Sequence, residues 1–220
     1  MQIHITVLNP MKTLCTTLLS VLLLVAGNTA FAAQPEQPEY QTINPPLATH
    51  SGNKIEVMEI FWYGCPHCYA FEPYLEKWLQ TKPANVEFRL MPGILNRAWV
   101  AHARAFYTAE KLGVLDKIHL QLFDAIHKDR RNIFDEDSNK AFFVEQGVDG
   151  DEFSKVYDSK EIDEMLKQAI QAQVDAKVTG VPSLIVDGKY LTSPSMTGSY
   201  EALEKVLNDL IERESKGKQR

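Results

Sequence analysis

Apolar residues fill almost every position from Ile55 to Trp62, broken only by Glu56 and Glu59. A run of that density predicts a central strand covered on both faces. From Pro66 the period changes. Phe71, Tyr74, Leu75, Trp78 and Leu79 recur at the three- and four-residue spacing of an amphipathic helix. Pro66 suits the first helical position, where its missing N–H costs nothing. Pro73 falls inside the pattern and is expected to kink the helix. Val86–Met91 reads as a second strand, closed by Pro92-Gly93. Upstream, residues 33–53 are Pro-rich and polar, with one short strand candidate at Tyr40–Ile43.

The next stretch is helical throughout. Ala98–Leu112 is alanine-rich and ends at Gly113, and Asp116–His127 repeats Ile118, Leu122, Phe123 and Ile126. Asn139–Gln146 and Asp151–Tyr157 are shorter candidates. Glu161–Val178 sets Ile162, Met165, Leu166, Ala169, Ile170 and Val174 on one expected buried face. Strands return at Ser183–Val186 and Tyr190–Leu191, joined by the hairpin signal Asp187-Gly188. Ser199 can cap a last helix, whose inner face is Leu203, Val206, Leu207, Leu210 and Ile211. Lys216–Arg220 reads as a solvated tail. The order predicts an α/β core, residues 33–95 and 179–220, split by an all-helical insert at 96–178.

The N-terminus reads as a leader rather than as fold. Lys12 is followed by an apolar run, Leu18–Ala26, and then by Ala30-Phe31-Ala32, a small-x-small pattern. This predicts a secretory signal peptide, residues 1–32, cut after Ala32. The run falls short of the about 20 residues that span a bilayer, so an uncleaved anchor is the weaker alternative. Met11-Lys12 is a more natural start than Met1. The chain carries a net charge of −6, and losing Lys12 makes it more acidic. Without basic clusters it is a poor nucleic-acid binder. A monomer is expected.

The leader also changes the meaning of the cysteines. Cys15 leaves with it, and Cys65 and Cys68 remain. A pair so close in sequence closes almost no loop and stabilises the fold little. In an exported chain such a pair points to chemistry. Cys65-Pro66-His67-Cys68 follows the apolar strand and opens the first helix. Free N–H groups and the helix dipole at that terminus favour an anion on Cys65. His67 can add charge or a hydrogen bond, and each effect lowers the Cys65 pKa. The stabilised species is the reduced one, so the disulfide becomes an oxidant, and Pro66 and His67 set that direction. A zinc site needs about four ligands, and no second pair exists. Haem attachment needs His at position 69, which is Tyr. An inert structural disulfide is the remaining alternative.

Two further features bear on the pair. Thr179-Gly180-Val181-Pro182-Ser183 precedes a strand, and Pro182 there is either an ordinary turn residue or a special cis proline. Only about 5% of X–Pro bonds in folded proteins are cis. Glu59 would be costly to bury unpaired. Buried, its pKa should rise, and it could exchange protons with Cys68. Otherwise it is a strand-edge acid that reaches solvent. Other motifs carry less. Asp135, Asp137 and Asn139 alternate as in an EF-hand, but Lys140 and Gln146 break that loop, and Asp137 or Ser138 is expected to cap a helix. His102, His119 and His127 are expected to be partly exposed helix residues. No hydrolase or dinucleotide motif occurs.

The segments Glu59-Ile60-Phe61-Trp62-Tyr63-Gly64-Cys65-Pro66-His67-Cys68-Tyr69, then Phe71-Glu72, and Gly180-Val181-Pro182-Ser183-Leu184-Ile185-Val186-Asp187-Gly188-Lys189-Tyr190 resemble thioredoxin-fold oxidoreductases. Within these they closely resemble the DsbA family of periplasmic disulfide oxidases, over essentially the whole chain after the leader. Gly64 departs from the family, where a bulky aromatic is common, and so does Pro73. The resemblance implies a thioredoxin-like fold, a central mixed β-sheet flanked by helices, with an inserted helical domain. It implies a cis Val181-Pro182 bond packed against the disulfide, with the Val181 backbone facing a substrate strand. It places Glu59 beneath the active site. It implies no cofactor beyond the disulfide and no metal, unfolded exported proteins as substrates, and a quinone-linked DsbB-like partner. A reductase or isomerase of the same compartment, or a peptide-binding chaperone with an incidental disulfide, are the alternatives.

Overall fold

The structure, a computed structural model, describes residue 2 and residues 38–218. The expected leader, with its apolar run and expected cleavage after Ala32, and the expected start at Met11 lie outside the described residues. Five strands form one mixed sheet: β1 (Gln41–Thr42), β2 (Ile55–Phe61), β3 (Val86–Pro92), β4 (Ser183–Val186) and β5 (Tyr190–Thr192), in the order β1-β5-β4-β2-β3. β2 runs parallel to β3 and antiparallel to β4. Every β2 residue is buried, as the near-continuous apolar run predicts.

Side chains alternate along β2, and each face has its own cover. Ile55 and Val57 join Leu184 and Val186 against α1 (Pro66–Thr81) and the last helix, α8 (Tyr200–Lys218). Met58 and Ile60 face the other way, with Ile185, Ala176 and Val178. β4 and β5 turn through Asp187 and Gly188, both at positive φ, as a type I′ hairpin needs. At Gly188 a side chain would also strike the Leu47 carbonyl, 2.3 Å from an ideal Cβ.

Between β3 and β4 lie α2 (Val100–Lys111), α3 (Leu115–His127), α4 (Glu136–Glu145), α5 (Gly150–Tyr157) and α6 (Lys160–Asp175). Their core is continuous with Phe61, Tyr63, Cys65 and Cys68, so the helical block closes directly over the Cys-x-x-Cys end of β2. A four-residue helix, α7 (Pro194–Thr197), precedes α8. α1 continues through Pro73 to Thr81. Among the described residues no helix is long and apolar enough to cross a membrane.

Four expectations are corrected. The buried stripe of α6 is Ile162, Leu166, Ala169 and Gln173, while Ile170 and Val174 are exposed at 40% and 64%. Gln173 takes the inner place because it closes the β3 exit: its amide accepts from the Ile94 N–H (2.8 Å) and donates to the Pro92 carbonyl (3.1 Å). α4 is capped by Asp135, which forms a capping box with Ser138, rather than by Asp137. His102 and His119 are buried rather than partly exposed. The described part of the tail, Lys216–Lys218, is exposed as expected but continues α8 as helix, and the Lys218 ammonium donates to the Lys54 carbonyl and to Asp187, each at 2.9 Å.

Candidate active site

Cys65 is the N-cap residue of α1, with extended backbone (φ −91°, ψ 115°). Its N–H donates to the Trp62 carbonyl (2.9 Å), and its carbonyl accepts the Tyr69 N–H (3.1 Å), closing the first helical turn. Pro66 occupies the first helical position and His67 the second, both exposed. The Tyr200 hydroxyl donates to the His67 carbonyl (3.0 Å), tying the motif to the start of α8. Cys68 lies three residues further along, on the inner side of the helix, and is fully buried, while Cys65 keeps 7% exposure. Both are free thiols.

The second segment meets the first here. Cys65 Sγ sits 3.6 Å from the Val181 carbonyl oxygen, across 116 residues of sequence. The Val181-Pro182 bond is cis. The Ser183 hydroxyl donates to the Gly180 carbonyl (2.7 Å) and pins the turn that carries Val181. Beside it opens a groove of about 690 Å³, lined by His67, Val181, Pro182, Ser195, Met196 and Tyr200 among others.

The two thiols are driven apart in acidity. Cys65 is lowered from 9.0 to about 6. The first cause is the hydrogen bond its sulfur accepts from the Cys68 thiol; burial opposes it. The backbone N–H groups of Cys68 and His67 and then the charge of His67 add to the lowering. The helix start and His67 both lower it, but the largest effect comes from the neighbouring thiol. Cys68 moves far upward, through burial, through its hydrogen bond to Cys65, and through the nearby charges of Glu59 and Cys65.

Glu59 is fully buried, and neither carboxyl oxygen has a hydrogen-bond partner. The strand-edge alternative is therefore removed: β2 is interior, and Glu59 points to the face that α1 covers. Burial, then the Glu72 carboxylate, then Cys65 hold its carboxyl well above the usual range. Thus Glu59, Cys65, Pro66, His67, Cys68, Val181 and Pro182 all converge on one end of β2.

Three side-chain environments near the site are set by contacts that the sequence does not show. Glu72 follows Cys68 by one helical turn and is 9% exposed; its spacing from Cys68 was the available signal. Buried His119 accepts or donates at Nδ1 to the Tyr63 hydroxyl (3.0 Å). At Gly64 the indole of Trp62 fills the space a side chain would need, 2.3 Å from an ideal Cβ, and stacks on Trp99 at 4.4 Å and 5°. A bulky aromatic at position 64 has no room because Trp62 already occupies it.

The DSBA-like thioredoxin domain model matches residues 56–208. The chain belongs to the DsbA family. It is 35% identical over 201 residues to the thiol:disulfide interchange protein DsbA of Pseudomonas aeruginosa, covering 90% of this chain and 95% of that protein. It is 34% identical over 206 residues to the DsbA of Burkholderia cepacia, covering 92% and 97%. The crystal structure of Pseudomonas aeruginosa DsbA superposes with a TM-score of 0.78 at 36% identity, covering 83% of this chain and 95% of that one. This DsbA-family chain has the thioredoxin-like fold with its helical insertion, and it is a protein disulfide oxidoreductase.

Proposed function

We propose that this DsbA-family protein donates a Cys65–Cys68 disulfide to newly exported proteins in the periplasm. The observation that carries the reading is the split between the thiols: Cys65 lowered to about 6 and still slightly exposed, Cys68 pushed far up and fully buried behind it. A substrate thiolate attacks Cys65 Sγ, the accessible sulfur. The Cys65–Cys68 bond breaks with its electron pair on Cys68, which takes a proton from Glu59. A second substrate thiolate then attacks the substrate sulfur of the mixed disulfide and expels Cys65 as a stable thiolate. Two electrons pass from substrate to protein. The no-cofactor reading follows, since the disulfide itself carries them.

Val181 is placed to pair its backbone with an extended substrate segment, and Pro182 keeps the wall beside Cys65 free of a competing N–H donor. The apolar part of the groove suits unfolded chains of varied sequence. Return of the electrons falls to a quinone-linked membrane partner of the DsbB type. A reductase or isomerase needs a less oxidising pair, and the depressed Cys65 favours the oxidase over either. The domain limits follow the site: residues 33–95 and 179–220 supply both reacting segments, and 96–178 cover them.

Oxidation of a dithiol peptide tests the reading. Cys65→Ser should abolish it, and Cys68→Ser should accumulate mixed disulfides with substrate. A reduction potential at thioredoxin's value, about −270 mV, would overturn the donor role. Biological activity that survives both substitutions, with peptide oxidation lost, would instead favour the chaperone alternative.

A further inference from the structure

α6 ends on a lysine where two other helices of the insert end on glycine. Its last turn closes as a Schellman motif: the Lys177 N–H donates to the Val174 carbonyl (3.0 Å) and the Val178 N–H to the Gln173 carbonyl (2.9 Å). Lys177 stands at φ +55°, in the left-handed region that glycine occupies without strain. α2 and α4 close through the same pair of bonds and place Gly113 and Gly147 there. The backbone disfavours a lysine at this turn, and the surface around it supplies a reason for one.

Lys177 is exposed and lines two hollows at once. One is the groove of about 690 Å³ beside Val181 and His67. The other, of about 300 Å³, lies between α6 and the β3 exit, walled by Ile94, Leu95, Ile170 and Val174 among others. Thr179 lines both as well, so the two hollows are parts of one trough. Among the described residues no aspartate or glutamate lines either part, and Lys177 is the one lysine or arginine that does. The trough is a positive spot on a chain of net charge −6. Asp175, two residues away, accepts from the Gln171 amide (2.8 Å) and lines neither part. Ile170 and Val174, the apolar α6 residues left outside the core, form the far wall at 40% and 64% exposure. Water hydrates the cation but gains nothing from those two side chains, so a partner that covers them is favoured.

We propose that an extended substrate segment, flanking the reacting cysteine, continues from the Val181 groove across Thr179 and Lys177 into the hollow beside α6. Lys177 selects an aspartate or glutamate in that segment, and Ile170 and Val174 take an apolar side chain beyond it. The inference rests on the disulfide-donor reading and names the substrate features that the same site prefers. The occupant is the substrate chain because the trough is continuous with the groove at Cys65. Reach agrees: Lys177 and Val181 are four residues apart, a span of at most about 14 Å. A substrate cysteine held at Cys65, beside Val181, therefore brings a residue about four positions away within range of the ammonium. An exposed ion pair adds little affinity and is screened by salt, so the signature is a modest, salt-sensitive preference.

The test is the second-order rate at which the oxidised protein oxidises dithiol peptides that carry Asp, Asn or Lys at one position. That position lies four residues before the first cysteine in one set and four residues after the second in another. At low salt the Asp peptide should outpace the Lys peptide by about fivefold in one set, with Asn between, and the gap should close at about 0.5 M salt. The set that shows it gives the direction of the bound strand. Lys177→Glu should reverse the order. Lys177→Gly, which suits the left-handed turn and removes the cation, should bring the three rates together. Val174→Ser and Ile170→Ser should cut, by about threefold, the advantage of Leu over Ser placed beyond the acid. Equal rates for Asp, Asn and Lys in both sets, or an Asp preference that persists in Lys177→Gly, would overturn the role of Lys177. A Leu advantage untouched by both serine substitutions would overturn the apolar wall. If the unsubstituted protein oxidises none of the peptides, the donor reading fails instead, so the two failures are distinguishable.

Discussion

Glu56 and Glu59 stand three residues apart on the same strand, and both are buried, at 4% and 0%. They point to opposite faces of the sheet and meet opposite fates. Glu56 accepts the His50 N–H at 2.8 Å and has the Arg89 guanidinium at 3.6 Å. Glu59 has neither a donor nor a cation. One end of β2 satisfies its acid and gains stability from it; the other holds an unsatisfied acid under the reacting thiols. A buried carboxyl without partners costs free energy. Under the proposed function its neighbours, Cys65 and Cys68, account for that cost: a carboxyl that no hydrogen bond holds can bind and release a proton.

That contrast can be broken or sharpened by experiment. The widest gap is in the thiols above Glu59. Thiolate absorbance of the reduced protein should show Cys65 titrating near pH 6. Because its folded pKa is depressed, Cys65 adds stability to the reduced form that is complete above the unfolded value, about 8.5, and is lost as pH falls through about 6. Melting temperatures of reduced protein and of Cys65→Ser, compared over that window, check the sign. A difference independent of pH would remove the thiolate from the account.

Glu59→Leu comes next. It should stabilise the fold by about 2–3 kcal/mol in chemical denaturation near neutral pH, while slowing dithiol oxidation. The Glu59 pKa is raised in the fold, so the burial penalty is absent below the unfolded value, about 4.3, and grows as pH rises above it. The gain should therefore shrink in acid. At the other end of the strand, Glu56→Ala should do the reverse and lower stability by about 1 kcal/mol without changing the oxidation rate. If both substitutions moved stability in the same direction, the distinction between the two ends would be lost.

Much of this arrangement is legible in the sequence. The density of apolar residues marks β2 as interior, the change of period at Pro66 marks the helix start, and the close spacing of Cys65 and Cys68 marks them as a pair. Glu59 stands out because an acid inside such a run has no cheap explanation. What escapes is set by contacts between distant segments. Gln173 and Val174 are adjacent on α6, and periodicity favours the valine for the inside. The unpaired groups at Pro92 and Ile94 decide for the glutamine. His119 has no local mark of burial, because its cage comes from Phe61, Tyr63 and Glu72 on other elements. The largest cause of the low Cys65 pKa is likewise a side-chain contact whose geometry the spacing leaves open.

The contact of Cys65 with Val181 spans 116 residues, and this has a consequence for biosynthesis. A chain that emerges N-terminus first presents its two thiols well before the segment that walls them. Until Val181 and Pro182 have arrived and β4 has paired with β2, the thiols lack the partner surface described above. The nascent chain thus carries both thiols before it carries the surface that faces them, and the site is assembled only with completion of the fold.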